Sequence, residues 1–140
     1  MYLLDTDVLS ALRKRRRDLN VVAWIESVSD REFFLSVVTI GEVERGIERQ
    51  RTVDPAFAAE LARWLDTILR TYGERVLPLT VSTARRWGRL SAQIGSRGID
   101  LAIAATALEH GLIVATGNVS HFEPTGVKVT NPFAPPGRKG

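Results

Sequence analysis

Apolar residues along the chain fall into short runs and into longer stretches where they recur at helical spacing. The short runs predict strands buried on both faces of a sheet. The longer stretches predict helices with one apolar face. The strand-like runs are 2–4, 33–35, 76–79, 112–115 and 127–129. Strands separated by helices predict a three-layer α/β/α domain with a central, mostly parallel sheet of about five strands.

Capping residues mark where the predicted helices begin and end. Thr39 is the expected N-cap of the helix after the second strand, and Asp54 followed by Pro55 predicts the next helix start. Gly73 and Gly111 are expected to end the helices before them. The other predicted helices cover 7–12, 19–28, a segment from 82 or 83 to 94, and 100–110.

The composition is that of a single globular domain. The chain has 140 residues, 44% of them hydrophobic, which is enough for one core and too little for a second domain. We expect a domain over 1–133 and a disordered tail over 134–140. The absence of cysteine excludes disulfides and thiolate metal sites. The apolar start is too short for a signal peptide or membrane span, so a cytoplasmic location without membrane association is the expectation.

Acidic and polar side chains cluster after the predicted strands, where parallel sheets bind ligands. These positions are Asp5 after the first strand, Glu42 in the first turn of the helix after the second, Asp100 before the fourth, and Thr116, Asn118 and His121 after the fourth. Carboxylates without cysteine suit Mg²⁺ or Mn²⁺, ions that activate water and neutralise phosphate charge in phosphodiester cleavage. By chain order Asp100 precedes its helix at the opposite end from the fourth strand, so it joins the other acids only if that helix starts near this edge, which the sequence alone does not show.

Each acid also has a purely structural interpretation. Asp5, Thr6 or Asp7 would cap the first helix, and Asp100 would cap the helix that it opens. Glu42 would be a solvated helix residue or a favourable charge near a helix N-terminus. Position alone leaves both interpretations open.

The Asp5-Thr6-Asp7 segment after an apolar strand also resembles the nucleophile motif of haloacid-dehalogenase-type phosphatases. In that mechanism Asp5 attacks phosphorus and Asp7 is the acid/base. The mechanism also requires a well-placed lysine and a later pair of acids. The only lysines are Lys14, Lys128 and Lys139, and no acidic pair follows the fourth strand, so the sequence disfavours a phosphatase.

Five segments together resemble the PIN domains of VapC/FitB-like toxins. The segments are LLDTDVLS at 3–10, LSVVTIGEVERG at 35–46, IDLAIAATA at 99–107, LIVATGNVSHF at 112–122 and NPF at 131–133. Each is a weak pattern alone, but their order and spacing are highly specific. The resemblance extends over nearly the whole chain.

The resemblance implies a Mg²⁺- or Mn²⁺-dependent endoribonuclease that is the toxin of a type II toxin–antitoxin module. By the same resemblance, Asp5 and Asp100 are the strongest metal ligands, and Glu42 ligates directly or through water. Thr6 and Thr116 would orient acids or water by hydrogen bonding. The family fold further implies that the helix of Asp100 begins beside the active edge.

One departure from the family concerns its fourth acidic residue, which comes after the fourth strand. Many PIN domains have a fourth acid where this chain has Asn118, and some have an acid at the position of His121. The amide of Asn118 brings no negative charge, so a second metal would be held weakly. A catalytically weak module that binds only nucleic acid or antitoxin therefore stays open. His121 either contacts RNA phosphate or is structural.

Partners are implied by the resemblance and by charge. The formal net charge is +3, and the basic run at 13–17 is either solvated surface or an RNA backbone contact through Arg13, Arg15 and Arg16. The family implies a homodimer and a small antitoxin, with an antitoxin arginine paired to the acids. The tryptophans are expected to be core or half-buried packing residues: Trp24, Trp64 and Trp87.

Overall fold

A five-stranded parallel sheet lies at the centre of the structure, a computed structural model that describes residues 1–14, 16–95 and 98–135. The strands are β1 Tyr2–Leu4, β2 Phe33–Ser36, β3 Val76–Leu77, β4 Ile113–Ala115 and β5 Val129–Thr130. Their order is β3-β2-β1-β4-β5, and every neighbouring pair is parallel. The five predicted strands are therefore confirmed. β3 ends at Leu77 because Pro78 has no N–H to donate to the ladder.

Helices cover both faces of this sheet. Within the described ranges they are α1 Thr6–Arg13, α2 Leu19–Ser27, α3 Val37–Val53, α4 Pro55–Tyr72, α5 Val81–Ile94, α6 Asp100–His110 and α7 Val119–Phe122. Single turns of 3₁₀ helix occur at 30–32, 73–75 and 123–125. None of the described helices is long and apolar enough to cross a membrane.

Alternate residues of the central strands divide the core into two layers. Leu3 and Val114 belong to a cluster with Ile103 of α6. Leu4 and Ala115, one residue further along each strand, belong to the cluster that includes residues of α1 and α2. Successive strand residues point to opposite faces, so the predicted three-layer α/β/α arrangement is confirmed.

Two helix starts differ from the prediction. The cap of α3 is Ser36, whose Oγ accepts a hydrogen bond from the Val38 amide at 3.0 Å, and not Thr39. An N-cap needs extended backbone, which Ser36 has as the last residue of β2. The earlier start places Glu42 in the second turn of α3. Similarly, α5 begins at Val81 with Thr80 as its cap, ahead of the predicted start at 82 or 83.

The other helix signals agree with the prediction. Asp54 caps α4 by accepting from the Phe57 amide at 3.1 Å. Gly73 and Gly111 follow the last residues of α4 and α6 with φ of +52° and +65°, a left-handed conformation that glycine adopts without strain. Residues 136–140 of the predicted tail lie outside the described residues.

The tryptophans were predicted to be at least half-buried, and this is wrong for one of them. Trp24 is half-buried and packs edge-to-face on Tyr2, with ring centroids 5.0 Å apart. Trp64 is half-buried between α3 and α4. Trp87 of α5 is exposed, at 39% of its surface.

Replacing Thr39 with valine is expected to stabilise the protein. Thr39 is fully buried in α3, and its hydroxyl has no hydrogen-bond partner among the described residues. An unpaired buried hydroxyl costs about 1–3 kcal/mol, which the isosteric valine removes. The measurement is the free energy of unfolding in urea.

Thr106→Val is the matched control. Thr106 is equally buried in a helix, but its hydroxyl donates to the Ala102 carbonyl oxygen at 2.8 Å. This variant should be neutral or destabilised by up to about 1 kcal/mol. Equal destabilisation of both variants would show that the Thr39 hydroxyl is paired in solution.

Candidate metal and active site

Asp5 and Thr116 lie side by side at the carboxyl edge of the sheet. Leu4 of β1 is in register with Ala115 of β4, and the Asp5 amide donates to the Ala115 carbonyl oxygen at 2.9 Å. The next residue of each strand therefore reaches the same point. Thr116 donates its hydroxyl to Asp5 Oδ2 at 2.8 Å, and the Thr6 amide donates to Oδ1 at 2.8 Å. The structure thus holds both oxygens of a buried carboxylate.

The surroundings of Asp5 oppose its ionisation. Its pKa is raised to about 6, mainly by burial and next by the charge of Asp7. The hydrogen bonds from Thr116 and Thr6 lower the pKa but only partly offset burial, while the charge of Asp100 adds to the increase. A buried carboxylate with two acidic neighbours is typical of a functional site.

Asp7 is a site residue that the sequence analysis considered only as a cap or a phosphatase acid. Its Oδ2 accepts from the Gly117 amide at 2.8 Å, and its Oδ1 accepts from the Val8 amide at 2.8 Å. Burial raises its pKa, and the charge of Asp100 contributes. The signal in the sequence for Asp7 was the Asp-x-Asp spacing where β1 leads into α1. Two residues apart at such a junction, both carboxylates remain at the carboxyl edge of the sheet.

Gly117 makes the contact with Asp7 possible. A Cβ on Gly117 would lie 3.0 Å from Asp7 Oδ2 and 3.0 Å from a ring carbon of Phe133. Any side chain at 117 would therefore displace the carboxylate or the ring.

Asp100 reaches the same edge, a point that chain order alone left open. A helix that leads into a parallel strand runs antiparallel to it, so α6 begins at the carboxyl edge and ends where β4 begins. Asp100 is the first residue of α6, and its Oδ2 lies 2.9 Å from Nδ1 of His121, which follows β4. The capping interpretation is wrong, because Ile99 holds the cap position of α6 and makes no side-chain hydrogen bond to the helix end.

Glu42 is joined to this edge through Thr6. The Thr6 hydroxyl donates to Glu42 Oε1 at 2.6 Å. Since the Thr6 amide also donates to Asp5, Thr6 links Glu42 of α3 to Asp5. Asn118 is exposed, and its backbone amide donates to the Thr116 hydroxyl at 2.9 Å. This contact aligns the Thr116 hydroxyl with Asp5.

The basic residues proposed from the sequence lie in different surroundings. The guanidinium of Arg13 is over the rings of Phe57 and Trp64, at 5.2 and 5.9 Å from their centroids. Arg16 is exposed. Arg15 lies outside the described residues. Arg13 thus packs against aromatic rings, whereas Arg16 has its side chain in solvent.

No three carboxylate or imidazole side chains of the described residues are gathered closely enough to hold an ion by themselves. Asp100 is instead hydrogen-bonded to His121, and Glu42 accepts its hydrogen bond from the Thr6 hydroxyl. The donor set nevertheless fits a divalent cation, because carboxylate oxygens dominate and the charges of Asp7 and Asp100 raise the pKa of Asp5. A cation near these oxygens would offset that repulsion.

Asp5→Asn is expected to stabilise the metal-free protein by an amount that grows with pH. The pKa of Asp5 rises from 3.8 to about 6 on folding, so the stability that protonated Asp5 contributes is present below about pH 4 and lost as pH rises through 6. Asparagine does not ionise and avoids this loss, which amounts to about 3 kcal/mol at most.

The measurement is urea unfolding of both proteins with chelator at pH 3.5 and 7.5. Because the substitution also changes hydrogen bonding at this position, the diagnostic quantity is the change with pH of the difference in unfolding free energy between the two proteins. A difference independent of pH would contradict the buried, repelled carboxylate.

Comparisons with known proteins identify the family. The chain matches the PIN domain family over residues 2–123. It is 34% identical to the VapC ribonuclease Y4jK of Sinorhizobium fredii, over 96% of this chain and 99% of that protein. It is 30% identical to toxin FitB of Neisseria gonorrhoeae, over 95% and 99%. The crystal structure of FitAcB from Neisseria gonorrhoeae has a TM-score of 0.85 at 30% identity, covering 95% of this chain and 99% of that chain.

The resemblance carried by the five sequence segments is therefore confirmed. Since the match extends from β1 to the turn after α7, it includes every acid of the site. The chain belongs to the PIN-domain family, and within that family it is similar to the VapC and FitB toxins.

Proposed function

We propose that this chain is a divalent-metal-dependent endoribonuclease and the toxin of a toxin–antitoxin module. The observation that carries the proposal is the buried Asp5, opposed by the charges of Asp7 and Asp100 at one edge of the sheet. The names of two relatives, a VapC ribonuclease and a FitB toxin, support the substrate class and the cellular role.

Asp5 and Asp100 would hold the ion, with Glu42 ligating directly or through water. A bound divalent cation supplies activation of water and neutralisation of phosphate charge. Thr116 keeps Asp5 Oδ2 in place by its 2.8 Å hydrogen bond, and Thr6 does the same for Glu42 at 2.6 Å. These bonds fix ligand orientation before substrate arrives, which is how partners of metal ligands raise affinity.

Substrate RNA would approach from the exposed side of the site. Asn118 and His121 are both exposed where the loop after β4 borders this edge. Asn118 offers an amide to a phosphate or ribose oxygen without adding negative charge. Arg16, which is exposed, supplies a cation for the RNA backbone.

An antitoxin is part of the same proposal, because a ribonuclease that acts on its own cell needs an inhibitor. A groove of about 200 Å³ lies between α1, α3 and α4 and begins at the site residues Thr6 and Glu42. Phe57 and Trp64 form its far wall, with Arg13 over their rings. A peptide with an apolar side chain and an arginine would fit, since it meets rings at one end and a carboxylate at the other. Homodimerisation belongs to this proposal by resemblance.

The test of the nuclease is cleavage of total cellular RNA by purified, antitoxin-free protein with Mg²⁺, Mn²⁺ or chelator. Asp100→Asn is expected to lower cleavage by a factor of about 100 or more, because it removes a charge from the ion's ligands. Glu109→Gln, at the other end of α6 and paired with Arg86, is the matched control and should retain activity.

Metal-dependent fragments that disappear in Asp100→Asn support the proposal. Folded protein that binds RNA but cleaves nothing with either ion would overturn it. That result would favour a binding module and point to the uncharged Asn118.

Arg16→Ala is expected to weaken RNA binding mainly at low salt. Each phosphate contact to single-stranded RNA contributes about 0.7 to the slope of log affinity against log salt, and losing Arg16 should lower the slope by about that amount. The measurement uses a single-stranded RNA oligonucleotide and the Asp100→Asn protein, so that nothing is cleaved.

Arg49→Ala is the control for this prediction, since Arg49 is also an exposed arginine, lies outside the basic run and is two helical turns beyond Glu42 on α3. Its slope should match that of the parent protein. Equal slopes for all three proteins would show that the basic run is only solvated surface.

A further inference from the structure

We propose that His121 is a nitrogen ligand of the ion together with Asp100, and that it makes the site prefer Mn²⁺ to Mg²⁺. The inference rests on the proposed function, because it concerns the ion that function requires. It goes further by assigning a ligand outside the carboxylates and by specifying the metal.

The distance between the two side chains suits a shared ion. His121 Nδ1 lies 2.9 Å from Asp100 Oδ2. Two ligands at right angles around an octahedral ion with bonds of about 2.1 Å lie about 3.0 Å apart. The nitrogen and the oxygen are therefore already spaced as neighbouring ligands. An ion bound by both groups would replace the hydrogen bond, with a rotation of the imidazole that turns Nδ1 from Asp100 toward the ion.

The backbone around His121 holds the imidazole in that place. Phe122, the next residue, is fully buried in the cluster formed with α6 and β4. The His121 amide donates to the Asn118 carbonyl oxygen at 3.0 Å. A buried anchor on one side and a closed turn on the other fix α7 above the first residue of α6.

The site is open where the ion would enter. The side chain of His121 is 55% exposed and that of Asp100 is 24% exposed, so hydrated ions reach both. The charge of Asp100 also acts on Asp5 and Asp7, which places three carboxylates within electrostatic reach of an ion bound there. One imidazole and several carboxylates form a mixed nitrogen and oxygen ligand set.

A mixed ligand set changes which ion is preferred. Mg²⁺ favours oxygen ligands and keeps its waters, whereas imidazole binds transition metals. Affinity for sites with nitrogen rises along the first transition series, starting from Mn²⁺. With an acidic residue at position 121, all the ligands would be oxygen atoms, and Mg²⁺ would compete better with Mn²⁺ for the site.

The test is electron spin-echo modulation spectroscopy of the full chain loaded with Mn²⁺ at pH 8. A directly coordinated imidazole gives a ¹⁴N coupling that a hydrogen-bonded imidazole at longer range does not. The coupling should be present in the parent protein and absent in His121→Asn. Asparagine is the matched variant, because its Nδ2 replaces Nδ1 and keeps the hydrogen bond to Asp100, while an amide nitrogen does not ligate.

Calorimetric titration with Mn²⁺ and with Mg²⁺ gives the preference itself. The ratio of Mn²⁺ to Mg²⁺ affinity should fall by about tenfold or more in His121→Asp relative to the parent protein. Circular dichroism of both variants establishes whether they are folded. If one variant does not fold, the other still tests the proposal by its own measurement.

The outcomes separate the two proposals. Mn²⁺ binding without ¹⁴N coupling, or with coupling that persists in His121→Asn, overturns the ligand role of His121 and leaves the nuclease untouched. Persistence would point to His110, the other histidine of the chain. If the parent protein binds neither ion, the proposed metal-dependent function fails first.

Discussion

The parallel pairing of β1 with β4 is the constraint on which the site depends. It joins residues more than a hundred positions apart, so that Thr116 donates to Asp5 across 111 residues of sequence. Each strand has only three residues, yet both are buried between helices on two faces. Because both strands end at the same level, a shift of one residue would separate the hydroxyl from the carboxylate and leave Asp5 buried without that partner.

This arrangement places stability and function in opposition. Burial and the neighbouring charge of Asp7 raise the pKa of Asp5 to about 6, so the ionised form that a cation requires is the form that the fold disfavours. The fold tolerates this cost because apolar packing of Leu3, Leu4 and Val114 on both faces is independent of the carboxylates. A cation that binds only the folded chain would recover part of the cost through binding.

The sequence predicts the layers and the position of Asp5 at the end of β1 well, because burial on both faces leaves uninterrupted apolar runs. Prediction from the sequence fails where the outcome depends on backbone conformation or on the direction in which a helix runs. Thr39 has the right side chain for a cap, but the extended backbone needed for capping occurs three residues earlier, at Ser36. Chain order alone left the end of the sheet open for Asp100, and only the family resemblance placed it at the active edge, because chain order does not give helix direction. Asp7 was undervalued, since its contact with Gly117 joins segments 110 residues apart.

Charge patterns are less informative than strand patterns for a related reason. Arg13 and Arg16 are indistinguishable in the basic run, yet one packs over two aromatic rings and the other extends into solvent. A long side chain reaches several environments, and its position is decided by what α4 presents to it. His121 has less of this freedom, because its side chain is shorter and the next residue, Phe122, is buried. Residue 121 therefore changes the chemistry beside Asp100 without disturbing the pairing that holds Asp5.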